Sequence, residues 1–312
     1  MPDAIVLTTT AEHAHAGHSR ESLVRAARDG ELHRVRRGVY ADAPGWRDGT
    51  PAARLLARVR AAQAAARHPL VFSHESAAIL HDIPLLGALP ERPTVAVGPN
   101  APRSNARVRR VQRAEPPATV ETTWGLRATS PMETAIDLAA VRSPLGGAVA
   151  FSRVRQHDGV KTEDIEAALA ARRPFRSVRR VERALAMSSG ACESPLETLV
   201  LVRCTDLGFA APEQQVEIDT DRGRYRVDFA WNDRQTVLEA DGVGKYTDPV
   251  MLDGADPTDI VVREKVREDR IRLVTSAFGR VGWLDAWHGD GLERILLRLG
   301  VPRVRPRGRL TR

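Results

Sequence analysis

Asp228, Glu239, Asp241 and Lys245 are the residues whose types and spacing can do chemistry in this chain. They stand in the runs Arg226-Val227-Asp228-Phe229-Ala230-Trp231 and Val237-Leu238-Glu239-Ala240-Asp241-Gly242-Val243-Gly244-Lys245-Tyr246. Asp228 alternates with apolar Val227 and Phe229, which places it on one face of a strand. Glu239 and Asp241 are two apart and share a face of the next strand. If the two strands pair, three carboxylates converge beside a sheet. Alone in water they repel one another, and a divalent cation relieves that repulsion. All-oxygen ligands suit Mg²⁺ or Mn²⁺. A metal held there polarises a phosphodiester and generates hydroxide. Lys245 would orient the attacking water or stabilise developing charge. Of 47 basic residues only Lys161, Lys245 and Lys265 are lysines. A lysine in so arginine-rich a chain suggests a role arginine cannot fill, because an ammonium can lose its proton. Glu197, upstream, is a further candidate ligand.

The elements around these residues set where they can meet. Ser188-Ser189-Gly190 reads as a linker. Ser194 caps and Pro195 opens a helix running to about Leu207. Strands are expected over 214–218, 225–231 and 237–241. A charged helix follows over 258–278, then a strand over 280–287 and a helix over 291–299. The tail, Pro302 to Arg309, is basic and expected to be flexible.

This order, with Ser194-Pro195-Leu196-Glu197, Arg226-x-Asp228-Phe229-x-Trp231 and Glu239-x-Asp241-Gly242, resembles the PD-(D/E)xK, or restriction-endonuclease-like, superfamily. The resemblance is nearest to a bacterial branch similar to very-short-patch repair endonucleases. It implies an αβββαβ domain over residues 190–301 and Mg²⁺-dependent hydrolysis of DNA phosphodiesters. Asp228 and Glu239 would bind metal and Asp241 would be a further ligand or base. Lys245 would position water, and Glu197 would support the metal shell. The chain departs from the pattern at three points. No proline precedes Asp228, Asp241 stands where the superfamily has its lysine, and Lys245 lies four residues later. Arg263, Arg267 and Arg270 on the charged helix are candidate phosphate contacts, against the plainer reading of a solvated salt-bridged face.

The N-terminal 48 residues read as a winged-helix-like module. A short helix over 8–16 is followed by a helix capped by Ser19, with Leu23, Val24 and Ala27 on one side and Arg20, Arg25 and Arg28 on the other. Gly30 suits its end. A hairpin follows over Leu32–Val35 and Val39–Tyr40 with its turn at Arg36-Arg37-Gly38, and Arg34, Arg36 and Arg37 are its candidate DNA contacts. Such a helix would enter a major groove and such a tip would meet phosphates. Residues 49–188 read as a mixed extension. Helices are expected over 51–86, 132–141 and 146–187, and strands over 94–97, 106–112 and 120–127. The runs His33 to Tyr40, Phe72 to His81 and Thr129 to Leu138 resemble AbiEi-type antitoxins of type IV toxin–antitoxin systems. That resemblance implies promoter DNA as partner and leaves a non-catalytic regulator as the alternative function. A toxin or a second copy of the chain would be a further partner.

The expected fold class is α/β, α+β over the whole chain, with residues 302–312 as a basic tail. A net charge of +7 favours a polyanionic partner. Cys192 and Cys204, the two cysteines, make neither a disulfide framework nor a cysteine zinc site. The N-terminus has no secretory signal and no run is apolar enough to span a membrane, so a cytoplasmic location is expected. His13, His15 and His18 lack a shared helical face. His74-Glu75 has no zincin partner, and Gly242 to Thr247 lacks the glycine and Ser/Thr of a phosphate loop.

Overall fold

The computed structural model describes residues 4–172, 177–241 and 257–312, with the backbone alone over 257–264. The described residues form a mixed arrangement of helices and strands with three sheets. The chain divides into two compact units: Met1–Arg142 with Ala167–Ala171, and Ser143–Glu166 with Arg172–Arg312.

The first unit opens with β1 (Leu7–Thr9), α1 (Thr10–His15) and α2 (Arg20–Arg28), followed by β2 (Leu32–Arg36) and β3 (Val39–Asp42). Thr9 and Glu12 form a reciprocal capping box at α1, and Ser19 Oγ accepts the Ser22 N–H at α2. The chain turns at Gly30 and Gly38, whose φ values of +82° and +80° a side chain rarely tolerates. The three strands pair antiparallel in the order β1-β3-β2, with a register slip between Arg34 and Arg36.

α3 (Ala43–Asp48) and α4 (Pro51–Ala64) follow. Thr50 caps α4 and Pro51 supplies its first turn. Then come β4 (Val71–Phe72), α5 (His74–Leu80), β5 (Thr94–Val97), β6 (Arg109–Gln112), β7 (Thr119–Glu121), β8 (Arg127–Thr129) and α6 (Pro131–Val141). The five strands form one sheet, β6-β5-β4-β8-β7. Leu55, Leu56 and Val59 of α4 pack with Phe72, Ile79 and Val95. Fully burying a side chain of that size stabilises by roughly 1.5–3 kcal/mol.

Two expectations need correction here. The helical stretch expected over 51–86 contains β4, whose two residues are too few to carry a period of their own. The strand expected over 120–127 is instead a hairpin, because Gly125 at φ +65° lets the chain reverse and donate to Thr122 O.

The second unit contains α7 (Pro144–His157), part of α8 (Thr162–Ala171), and α9 (Val178–Ala186) and α10 (Pro195–Leu207). The expected linker is tied down. Ser189 N donates to Ser152 Oγ at 3.1 Å, its hydroxyl donates to Gln214 Oε1 at 2.6 Å, and Arg155 donates to Ser188 O at 2.9 Å. After α10 come β9 (Glu213–Thr220), β10 (Gly223–Trp231), β11 (Thr236–Ala240), α11 (Pro257–Val274) and β12 (Ala277–Val281). Their sheet has the order β12-β11-β10-β9. The β9–β10–β11 meander is antiparallel, and β12 returns parallel to β11. Val216, Ile218, Val227 and Val237 bury against Ile271 of α11.

The strand expected over 280–287 ends early. Gly282 starts α12 (Trp283–His288), where Trp283 and Trp287 stack at 5.8 Å, and α13 (Asp290–Arg298) follows. The expected flexible tail is docked. Arg303 bridges Phe209, Arg307 pairs with Asp290 and Glu293 at 2.8 and 2.5 Å, and Thr311 N donates to Asp206 at 2.7 Å. Buried Arg203 joins Asp206 to the Thr311 carbonyl. Acids on α10 and α13 thus give the tail arginines and backbone partners that a solvated tail would lack. Among the described residues no helix is long and apolar enough to cross a membrane.

Candidate functional site

β10 and β11 bring two of the acidic residues face to face. Their register runs Trp231↔Thr236, Ala230↔Val237 and Phe229↔Leu238, so its next step sets Asp228 opposite Glu239. Like charges directly opposite on a sheet repel. Each carboxylate is compensated separately. Asp228 Oδ2 accepts the Ala240 N–H at 2.8 Å. Glu239, 7% exposed, accepts from Arg267 at 2.6 Å and lies 3.8 Å from Arg280. Asp241 pairs with Arg280 at 3.3 Å, and Arg280 also holds Glu268 at 2.8 Å.

Glu197 sits at the start of α10, where Ser194 Oγ accepts its N–H at 3.2 Å. Its Oε2 accepts the Glu193 N–H at 2.8 Å and the Gln215 amide at 2.9 Å. Burial pushes the Glu197 carboxyl above its ordinary range; nearby Asp228 adds to the rise, and the Glu193 and Ser194 hydrogen bonds oppose it. Glu197 therefore has a capping role that needs no metal.

By chemistry, Asp228, Glu239, Asp241 and Glu197 are oxygen donors of the type hard cations take. By geometry, Glu239 and Asp241 are held by guanidinium groups. Among the described residues no group of three or more acids, histidines or cysteines is arranged to hold an ion. Lys245 lies outside the described residues, as does the side chain of Arg263. Arg267 is turned onto Glu239 and the Arg226 carbonyl, and Arg270 pairs with Asp221 at 2.9 Å. These two cations make the salt-bridged face that was the plainer reading.

Arg280, Glu268 and Gln215 were not singled out in the sequence. Gln215 has φ +51° and lies between the pairs Val227↔Val216 and Phe229↔Gln214, opposite Asp228. A polar Gln214-Gln215 pair opening a strand was the available signal. Arg280 was findable only through the parallel register Glu239↔Arg280. Burial pushes the thiols of Cys192 and Cys204 up to about 12, so neither supplies a thiolate near neutral pH.

The N-terminal arginines have a different setting. Arg20, Arg25, Arg28, Arg34 and Arg37 are exposed, and among the described residues none has a carboxylate partner within 4.0 Å. Arg20, Arg25 and Arg28 line one concavity of about 430 Å³ on α2, together with Glu21 and with Val24, which is 43% exposed. Arg36 differs: it is half-buried and donates to Ala61 O at 3.4 Å. Its burial lowers its pKa, with Arg107 adding to the effect.

No family model matches the chain, and no curated protein is significantly similar to it.

Proposed function

We propose that the protein binds duplex DNA through its first unit. The observation that carries this reading is the row of five exposed, unpaired guanidinium groups on α2 and the β2–β3 hairpin. The order helix, turn, helix, hairpin and the sheet β1-β3-β2 support a winged helix. In that fold α2 enters a major groove and the hairpin meets the backbone. Val24 between the arginines offers an apolar contact to base edges. The unit has the charge for it: residues 1–142 hold 19 arginines against 14 carboxylates.

Fluorescence anisotropy of the full chain with a labelled duplex tests this. Replacing Arg25 and Arg28 together by Gln removes two phosphate contacts. The affinity ratio of wild type to variant then shrinks about twelvefold between about 50 and 200 mM salt. A double variant that binds as tightly as wild type throughout refutes the reading.

A second reading is metal-dependent DNA hydrolysis in the second unit, favoured by the register that sets Asp228 opposite Glu239. Asp228, Glu239 and Glu197 would hold Mg²⁺ or Mn²⁺, with Asp241 and Lys245 beside them. The ion would supply a polarised water and a counter-charge for the phosphodiester. The chain's own contribution is to keep Asp228 fixed by the Ala240 N–H and to balance Glu239 with Arg267. Metal-dependent nicking of plasmid DNA, lost in Asp228→Asn, tests this reading. The non-catalytic regulator is the outcome if no nicking occurs.

A further inference from the structure

We infer that a second concavity in the first unit, between α3, the start of β2 and the first turn of α4, is a backbone-phosphate subsite for nucleic acid. Arg47 and Arg54 are its anion-binding groups. This rests on the DNA-binding reading and extends it to residues that neither α2 nor the hairpin tip contains.

The cavity is about 420 Å³, and Gly30, His33, Trp46, Arg47 and Arg54 line it with no acidic residue among them. Arg54 is fixed in place. Its Nε donates to Trp46 O at 2.9 Å and its Nη2 to Arg47 O at 2.6 Å. A guanidinium has five N–H donors, so three remain for a ligand. Arg47 is exposed, and its side chain has no hydrogen bond or ion pair with the described residues. Two such groups, one pinned and one adjustable, suit the oxygens of one phosphate. Arg58 stands behind the cavity wall, with its guanidinium 5.0 Å from the centre of the Trp46 ring and Glu91 near enough to offset part of its charge. The field is felt at His33, whose pKa is lowered by burial first and then by Arg58 and Arg54. His33 is therefore neutral at neutral pH and adds no charge of its own.

The ligand is a phosphate group rather than a whole nucleotide. His33 already stacks on Trp46 at 4.2 Å with the rings 11° from parallel. Arg58 is also over the Trp46 ring, and the aromatic platform is thus in use by the protein itself. Continuity points to a nucleic-acid backbone over a small phosphorylated molecule. Gly30, on the cavity wall, stands two residues after exposed Arg28, with exposed Asp29 and Glu31 on either side of it. The contact carries no sequence information; it fixes register and adds affinity.

The test uses the full chain, a labelled random-sequence duplex and anisotropy between about 50 and 200 mM salt. Arg47→Gln, whose exposed side chain holds nothing in the fold, should lower the log–log salt slope by about 0.9. The ratio of wild-type to variant affinity should then shrink about 3.5-fold over that range. Arg54→Lys, which keeps the charge and loses the fork, should weaken binding with a smaller change in slope. Arg67→Gln is the control, because exposed Arg67 lies beyond the far end of α4, about 15 Å or more from Arg54. That separation exceeds the Debye length of about 10 Å at 0.1 M salt. Equal slopes for wild type, Arg47→Gln and Arg67→Gln overturn the subsite and leave DNA binding standing. Tight binding of pyrophosphate that depends on Arg47, with the DNA slope unchanged in Arg47→Gln, overturns the assignment to a nucleic-acid backbone. No salt-dependent DNA binding by the wild-type chain overturns both readings.

Discussion

Replacing Asp137 by Asn should change how the first unit's stability depends on pH. Asp137 lies on α6, 3% exposed, where it accepts a hydrogen bond from Arg113 and stands 3.5 Å from His74 Nδ1. Burial pushes its carboxyl from 3.8 to about 6; Arg113 pulls it down and Glu75 pushes it further up. The folded pKa is above the unfolded one, so the folded unit holds this proton more tightly. The stabilisation from that proton is complete below about pH 3.8 and is lost as pH rises through about 6. The interval between the two values corresponds to roughly 3 kcal/mol. Asn at 137 keeps an acceptor for Arg113 and removes the titration. Urea unfolding of both proteins, followed on the first unit's transition from about pH 4 to about pH 7, isolates the effect. Relative to Asp137→Asn, the wild type should lose about 2 kcal/mol across that range, the remainder of the roughly 3 kcal/mol lying below about pH 4. A flat difference would show that Arg113 offsets the burial fully. A difference of opposite sign would show that the ion pair dominates and would refute the reasoning.

Three further outcomes follow from the second unit. Gly208→Ala should destabilise it by at least about 1–2 kcal/mol in thermal unfolding, since φ is +80° there and a Cβ would strike the Arg305 carbonyl of the docked tail. Arg267→Met should cost about 2 kcal/mol, less than a fully buried pair, because Arg280 remains 3.8 Å from Glu239. The double variant with Glu239→Gln should lose less than the sum of the single losses, measured as a double-mutant cycle. If the acidic end hydrolyses DNA, Asp228→Asn should abolish Mn²⁺-dependent nicking and leave duplex affinity unchanged; equal nicking by the variant would exclude that site.

Much of the architecture could be read from local signals. Ser19 and Ser194 cap helices where the sequence indicates, and each is followed by a helix of the expected type. β5 spans Thr94–Val97, as its alternation implies. The order α10, β9, β10, β11, α11, β12 follows from the spacing of strand and helix patterns. What escaped depends on distant partners. β4 is a strand because β5 and β8 flank it, and nothing in two residues announces that. The tail is ordered because Asp206, Asp290 and Glu293 meet it across about a hundred residues or fewer of chain. At the acidic end, alternation placed Asp228 and Glu239 correctly on paired strands. It could not show that Arg267 and Arg280 already compensate Glu239 and Asp241, because those partners come from α11 and β12.

The salt dependence of duplex binding tests the central claim most directly. Five exposed guanidinium groups on α2 and the β2–β3 hairpin, each neutralising one phosphate, give a log–log slope of about −4.5, which the Arg47 contact steepens by about 0.9. Affinity of the full chain should then fall at least several hundredfold between about 50 and 200 mM salt, and less steeply once Arg25 and Arg28 are replaced. A slope near zero, or one that those replacements leave unchanged, would contradict the assignment of this surface to DNA.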